Sequence, residues 1–257
     1  MPPRIAIPHP HSAQPEYVAK VFPQYASAVA VAGGEPVEIG LDLSNHAIAR
    51  LATTCDGVLL PGSRADINPE KYGAARNPRT APDDPLRDNA DELLLQDAFN
   101  MRKPLLGICF GLQSLNVWRT GTLLQHITSE VPHSGNTHDP APPHRVVVDP
   151  ASRLGAIVGD AAVRTEHGLE LMVNSSHHQA AAAIGDGLRA VAWCPDDAVI
   201  EAIEGTGEQW VIAVQWHPER MTQDAAAQAL FRSFIQAARR WRERRSTPDF
   251  ESIRSSS

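Results

Sequence analysis

This sequence predicts a doubly wound α/β fold: a mostly parallel sheet with helices on both faces and antiparallel strands added to it. Three observations carry that prediction. Through the first half, short β-branched apolar runs alternate with longer stretches of helical spacing, the pattern of a parallel sheet flanked by helices. The apolar run Leu105-Leu106-Gly107-Ile108 leads straight into a glycine-framed cysteine. Beyond Gly121 the rhythm changes to strands without long helices between them, which predicts antiparallel additions to the same sheet.

Each element has its own reason. Arg4 to Pro8 reads as a buried first strand, and Tyr17 to Ala32 carries Val18, Val21, Tyr25, Ala28, Val29 and Ala32 at helical spacing before Gly33-Gly34 stops it. Pro36 to Leu41 is a second strand, Asn45 to Ala52 a short helix, and Asp56 to Leu60 a third strand ending at Pro61-Gly62. Ser63 to Pro85 is then a long Pro/Gly/Asp/Arg loop, and loops of that length inside a domain are functional or disordered. Arg87 to Met101 is an amphipathic helix. Later strands are expected at His144 to Val148, Leu171 to Asn174, Leu188 to Trp193, Val199 to Ile203 and Trp210 to Gln215. Thr222 to Arg245 is a final helix. With no internal repeat and no linker, residues 1–245 read as one domain and residues 246–257 as a disordered tail.

Composition narrows the function. The chain has 257 residues, 42% apolar, 21% charged and 5% aromatic, enough for a sizeable core. The small-apolar stretch around Tyr25 to Gly34 falls far short of the ~20 residues of a spanning helix, and the start of the chain has no export leader. Three cysteines, Cys55, Cys109 and Cys194, without a C-x-x-C pair, fit a cytoplasmic protein. The run from Arg239 to Arg245 carries five Arg and one Glu, so the rest of the chain bears −11 against the total of −7. A body that acidic is a poor partner for nucleic-acid backbone, and the Arg run reads as a solvated helix end. Neither a nucleic acid nor a membrane is an expected partner.

The chemistry concentrates at two places. Gly107-Ile108-Cys109-Phe110-Gly111 is the thiol form of the G-x-S-x-G nucleophile elbow, set between a strand and a helix as that motif requires. The sharp turn pushes the central side chain out at the carboxyl edge of the sheet, onto a helix N-terminus whose partial charge favours a thiolate. Read from this motif alone, Cys109 is a nucleophile or a small buried apolar residue. Cys55 and Cys194 lack the glycine framing and read as inert. A cysteine nucleophile needs a base and a group that orients it. The strand Val211 to Gln215 runs out into Trp216-His217-Pro218-Glu219, where Pro218 ends the strand and His217 and Glu219 project together, the ring to take the thiol proton and return it to a leaving amine. His133, His138 and His144 lie at irregular spacings unlike those of zinc sites and read as surface histidines, so no metal is expected. Asn174-Ser175-Ser176-His177-His178-Gln179 is either a substrate-gripping loop or a solvated turn.

Taken together, these segments resemble the class I glutamine amidotransferase superfamily, in its γ-glutamyl hydrolase-type peptidase branch. The resemblance covers most of residues 4–240. It rests on Ala32-Gly33-Gly34-Glu35-Pro36, Leu60-Pro61-Gly62-Ser63, Pro69-Glu70-Lys71-Tyr72-Gly73, Arg87-Asp88, Gly107 to Gln113, Asn174 to Gln179 and Gln215-Trp216-His217-Pro218-Glu219, in that order. It implies a flavodoxin-like sheet, a Cys109, His217, Glu219 triad, and a γ-glutamyl thioester that water resolves without a cofactor. It also implies an oxyanion hole from the backbone N–H groups of Gly62 and Phe110, and glutamyl contacts from Gln113, Ser176 and His177. The chain departs from the branch at Trp118-Arg119-Thr120, where a small residue and two glycines are usual, and at His126, where an acid is common. These departures bear on the pocket beyond the glutamyl group.

The leading functional expectation is a hydrolase of small γ-glutamyl amides such as γ-glutamyl-γ-aminobutyrate, with a homodimer left open. A glutaminase subunit feeding ammonia to a synthase, and a non-catalytic binding protein of the same fold, are the alternatives. A folate poly-γ-glutamate hydrolase belongs to the same branch, with Arg64 and Arg119 read either as polyanion contacts or as ordinary surface arginines.

Overall fold

The computed structural model describes residues 1–135 and 141–246. The predicted tail therefore lies outside the described residues, except for Ser246, which closes the last helix. Five strands form a parallel block in the order β2 (Glu35–Ile39), β1 (Arg4–Pro8), β3 (Gly57–Leu60), β4 (Leu105–Ile108) and β12 (Val211–Val214). This is the flavodoxin-like arrangement, with chain direction reversing its sideways progress at β1 and β3. Beyond β12 the same sheet continues through antiparallel pairings with β11 (Ile200–Gly205), β10 (Leu188–Trp193), β6 (His144–Val148), β8 (Gly168–Val173) and β7 (Val163–Thr165). A separate two-stranded ribbon pairs β5 (Leu123–Leu124) with β9 (Ala180–Ala181).

The inner parallel strands β3, β4 and β12 are apolar and buried throughout because both faces are covered, whereas the edge strand β2 exposes Glu35 and Glu38. Ile5, Ile7, Leu59, Leu106, Ile212 and Val214 join one core with α1 (Pro15–Val31) and α6 (Ala225–Ser246), whose Val21, Tyr25, Leu230 and Phe234 are buried. Their neighbours Ala6, Val58, Leu60, Leu105, Val211 and Ala213 point the other way, against α2 (Asn45–Thr53), α3 (Pro85–Asn100) and α4 (Phe110–Trp118). A period of two within an unbroken apolar run thus serves two cores. A short sixth helix, α5 (Arg153–Val158), packs on α6. Local signals agree with the ends: Ser44 caps α2, Asp84 caps α3, and Gly33 leaves α1 with φ +89°. Among the described residues no helix is long and apolar enough to cross a membrane.

The Ser63 to Pro85 loop is ordered. Its start buries Ala65, Asp66 and Ile67, and a 3₁₀ turn at Pro69–Tyr72 follows. Asp66 fixes both ends of its path, accepting from the Ala81 amide (2.7 Å) and pairing with His178 (3.0 Å).

Candidate active site

The carboxyl ends of β3, β4 and β12 lie side by side, and the residues that leave them meet. Val214 is in register with Ile108, and the Cys109 amide donates to Val214 O (2.8 Å), so the elbow and the strand leading to His217 are tied together at the sheet edge. Cys109 has φ 53° and ψ −104°, a left-handed conformation for a residue with a side chain. Such backbone strain costs on the order of 1–3 kcal/mol and persists where the surroundings impose it. The imposing contact is at Gly111, where an added Cβ would stand 2.2 Å from Leu60 O. Only glycine lets α4 begin that close to β3.

Cys109, His217 and Glu219 come together at this edge, all three buried. Glu219 Oε1 lies 2.7 Å from His217 Nδ1, and the Cys109 sulfur lies near enough to act on the charge of the ring. Burial opposes charge on the ring, but the Glu219 carboxylate and the Cys109 sulfur outweigh it and raise the His217 pKa to about 9. Asn174 clamps the backbone here, accepting from the His217 amide and donating to His217 O, both at 2.8 Å. The other two cysteines are buried elsewhere. Burial pushes both thiols up, Cys194 to about 11, which leaves them as thiols.

A cavity of about 480 Å³ opens over Cys109, and Phe110, Gln113, Ser176, His177 and His217 all contribute to its wall. Gln113 Nε2 donates to Gln179 O (3.2 Å) and Gln215 Oε1 (3.3 Å), which turns its carbonyl oxygen to any ligand. Ser176 is exposed to the cavity. Arg64 also reaches the wall, its guanidinium 4.5 Å from the Tyr17 ring centroid.

Several expectations need correction. The Gly62 amide does not face the cavity: it donates to Tyr25 Oη (3.1 Å), and an added Cβ at Gly62 would lie 2.9 Å from His217 Cε1 and 3.6 Å from Cys109 Cβ. The next residue, Ser63, does line the cavity, and no described residue accepts from its amide. The His177 ring is turned into the protein, with Nδ1 donating to Gln179 O (3.0 Å) and Nε2 3.5 Å from Glu201 Oε1. Trp118 and Arg119 sit at the far end of α4 from Cys109, roughly 13 Å away at 1.5 Å rise per residue. There Trp118 packs on Phe99 and Arg119 donates to Asp186 O (2.7 Å), so neither shapes this cavity.

His133 and His144, expected at the surface, are buried; His138 lies outside the described residues. Carboxylates make their burial tolerable. His133 Nε2 lies 2.8 Å from Asp197 Oδ2, and His144 Nε2 lies 3.1 Å from Glu201 Oε1. Burial opposes the charge on Glu201, but His177 and the other two rings hold its carboxyl well below the usual range.

One contributor had no role assigned from sequence. Arg87, fully buried, donates from Nε to Asp91 (2.7 Å) and from Nη2 to Pro61 O (2.6 Å), with its guanidinium 4.7 Å from the Phe110 ring centroid. It therefore holds the turn after β3 against the residue that follows Cys109. In sequence it shows only as part of the Arg87-Asp88 landmark, with no role attached, because an Arg in the first turn of a helix is ordinarily exposed.

Comparison with known proteins follows the same lines. The family model described as Peptidase C26 matches residues 6–219. A gamma-glutamyl-gamma-aminobutyrate hydrolase of Escherichia coli O157:H7 is 31% identical over 83% of this chain and 84% of its own. A "putative glutamine amidotransferase-like protein" of Rickettsia prowazekii is 28% identical over 87% and 93%. The crystal structure of a "putative GMP synthase" component from Thermoplasma acidophilum superposes with a TM-score of 0.66 at 14% identity, over 96% of this chain and 99% of that one, and shows the shared fold. The chain belongs to the Peptidase C26 family, the glutamine amidotransferase-like hydrolases.

Proposed function

We propose that this protein hydrolyses the γ-glutamyl amide bond of a small γ-glutamyl compound, with Cys109 as nucleophile, His217 as acid and base, and Glu219 orienting His217. The observation that carries the reading is the meeting of Cys109 on a strained elbow with a histidine whose other nitrogen is held by a buried carboxylate. The sulfur attacks the γ-carbonyl carbon, and the carbonyl π electrons move onto oxygen. His217 gives its proton to the departing amine as the C–N bond breaks, leaving a γ-glutamyl thioester. Water then attacks the thioester while His217 takes its proton. The C–S bond breaks and glutamate leaves.

The developing oxyanion needs N–H donors, each worth about 3 kcal/mol in such sites. Phe110 supplies one as the first residue of α4, whose leading amides have no acceptor inside the helix. Ser63 supplies the other in place of Gly62, since its amide is unengaged and it lines the cavity. Gln113 Oε1 and Ser176 are the groups offered to the glutamyl amino and carboxylate ends. The relative named a gamma-glutamyl-gamma-aminobutyrate hydrolase supports this substrate class.

The test is to assay the purified chain alone on γ-glutamyl-γ-aminobutyrate, a panel of other γ-glutamyl amines, and glutamine, reading glutamate release. Turnover of γ-glutamyl amines without a partner is expected. Turnover of glutamine only, stimulated by a second protein, would replace this reading with that of an ammonia-supplying subunit.

A further inference from the structure

Behind the cavity wall, three segments bring imidazoles to one fully buried carboxylate on a fourth. His133 Nδ1, His144 Nε2 and His177 Nε2 stand 3.4, 3.1 and 3.5 Å from Glu201 Oε1. Two of these rings have their tautomers set from behind. His133 donates from Nε2 to the Asp197 carboxylate, and His177 donates from Nδ1 to the Gln179 carbonyl. Their remaining nitrogens, His133 Nδ1 and His177 Nε2, are buried and have no hydrogen-bond partner among the described residues. Glu201 Oε2 likewise has none. Three nitrogens crowd one oxygen that has two lone pairs, while the second oxygen of the same carboxylate is bare.

A neutral imidazole with its proton on one nitrogen presents a lone pair from the other. Aimed at a carboxylate oxygen, that lone pair is repelled unless a cation lies between them, either a second proton on the ring or a metal ion shared by several rings. The ligand-capable atoms of His133, His144 and Glu201 all fall within 4.8 Å of one another. Bonds of about 2.0–2.2 Å in a tetrahedral zinc site place neighbouring ligand atoms roughly 3.3 Å apart, which matches the 3.4 and 3.1 Å separations of His133 Nδ1 and His144 Nε2 from Glu201 Oε1. The Asp197 carboxylate behind His133 is the usual outer partner of a metal-bound histidine.

We propose that His133, His144 and Glu201 form a divalent transition-metal site of the zinc class, distinct from the cysteine site and structural in purpose. His177 stands beside the same carboxylate, and its backbone donates to His133 O (2.9 Å), as does Ser175 Oγ (2.7 Å). A metal here ties the loop carrying Ser176 to β6 and β11. The expectation of no metal rested on sequence spacing, which cannot register ligands drawn from a loop and two non-adjacent strands.

The test uses the full chain. Metal content is measured by mass spectrometry after purification, then again after chelator dialysis and titration with Zn²⁺ or Co²⁺. About one metal per chain is expected, and the Co²⁺ form should show visible d–d bands without a thiolate-to-cobalt charge-transfer band. Glu201→Gln and His144→Ala should lose stoichiometric metal, and Asp197→Asn should weaken binding by about 10–100-fold. Cys109→Ala should bind as the wild type does. Absence of stoichiometric binding by the wild-type chain, a thiolate band, or loss of metal in Cys109→Ala would overturn the assignment. The wild-type spectrum and Cys109→Ala decide the matter even where Glu201→Gln or His144→Ala fails to fold.

Discussion

Two buried histidine–carboxylate assemblies lie close together in this molecule, and they are built to opposite ends. At the cavity one ring, His217, meets one carboxylate, Glu219, and its other side turns to a sulfur. Behind the wall three rings meet one carboxylate, Glu201, and are closed in by Asp197 and the Gln179 carbonyl. The residue types are the same. What differs is what faces the second nitrogen of each ring: a nucleophile under an open cavity in the first case, and a crowded carboxylate in the second. The first arrangement can pass a proton back and forth, whereas the second can only hold something in place.

Paired substitutions test that contrast, and the largest effects belong to the cavity. Cys109→Ala should lower turnover by at least about 10⁴-fold, and Glu219→Gln by a comparable order, because the ring loses the carboxylate that fixes its tautomer and stabilises its charge. Both proteins should keep wild-type circular dichroism. Glu201→Ala should do the reverse. Removing one partner of a buried charge cluster costs about 3–5 kcal/mol of stability, read as a lower midpoint in urea, with a smaller change in kcat than Glu219→Gln causes. An equal loss of kcat in both would mean that the two assemblies work as one.

The pH profile separates them further. His217 has its pKa raised to about 9 from the ordinary 6.5. The charged ring therefore contributes stability that is fully present below about 6.5 and is lost as pH rises through about 9. The pH–rate profile should fall on its alkaline side through about pH 9, as the imidazolium that protonates the leaving amine disappears. In Glu219→Gln, with the main cause of the shift gone, residual activity should fall at lower pH. An alkaline limb that stays in place in Glu219→Gln would assign it to another group.

How far this was legible in sequence follows the same division. The parallel block and the Cys109 elbow are local: an apolar run, a glycine frame, and a helix that must begin there. His217 and Glu219 are two residues apart on a proline-fixed strand end, so their pairing is visible without a fold. The Glu201 cluster is not visible in this way. Its members come from positions 133, 144, 177 and 201, and they meet only because β11, β10 and β6 are neighbours in the sheet. Spacing along the chain therefore argued for surface histidines, and the burial of His133 and His144 reverses it. Arg87 failed to declare itself for a related reason, since its partners Pro61 and Phe110 are brought to it by the order β3 to β4. Short elements such as β5, β7, β9 and α5 carry too few residues for a period to show.

The smallest effect bears on the cavity's oxyanion donor. Tyr25 Oη accepts from the Gly62 amide, both groups being buried and the tyrosine fully so. Tyr25→Phe strips that amide of its acceptor without changing the ring that packs in the core. Leaving a buried donor unsatisfied costs about 1–3 kcal/mol, which should appear as reduced stability in urea. If Ser63 and Phe110 are the oxyanion donors, kcat should stay within about threefold, because neither amide is touched. If Gly62 were the donor, its release from Tyr25 would leave it free to bind the oxyanion and kcat would rise. The same substitution thus measures a hydrogen bond in stability and, in the rate, identifies which amide faces the developing charge.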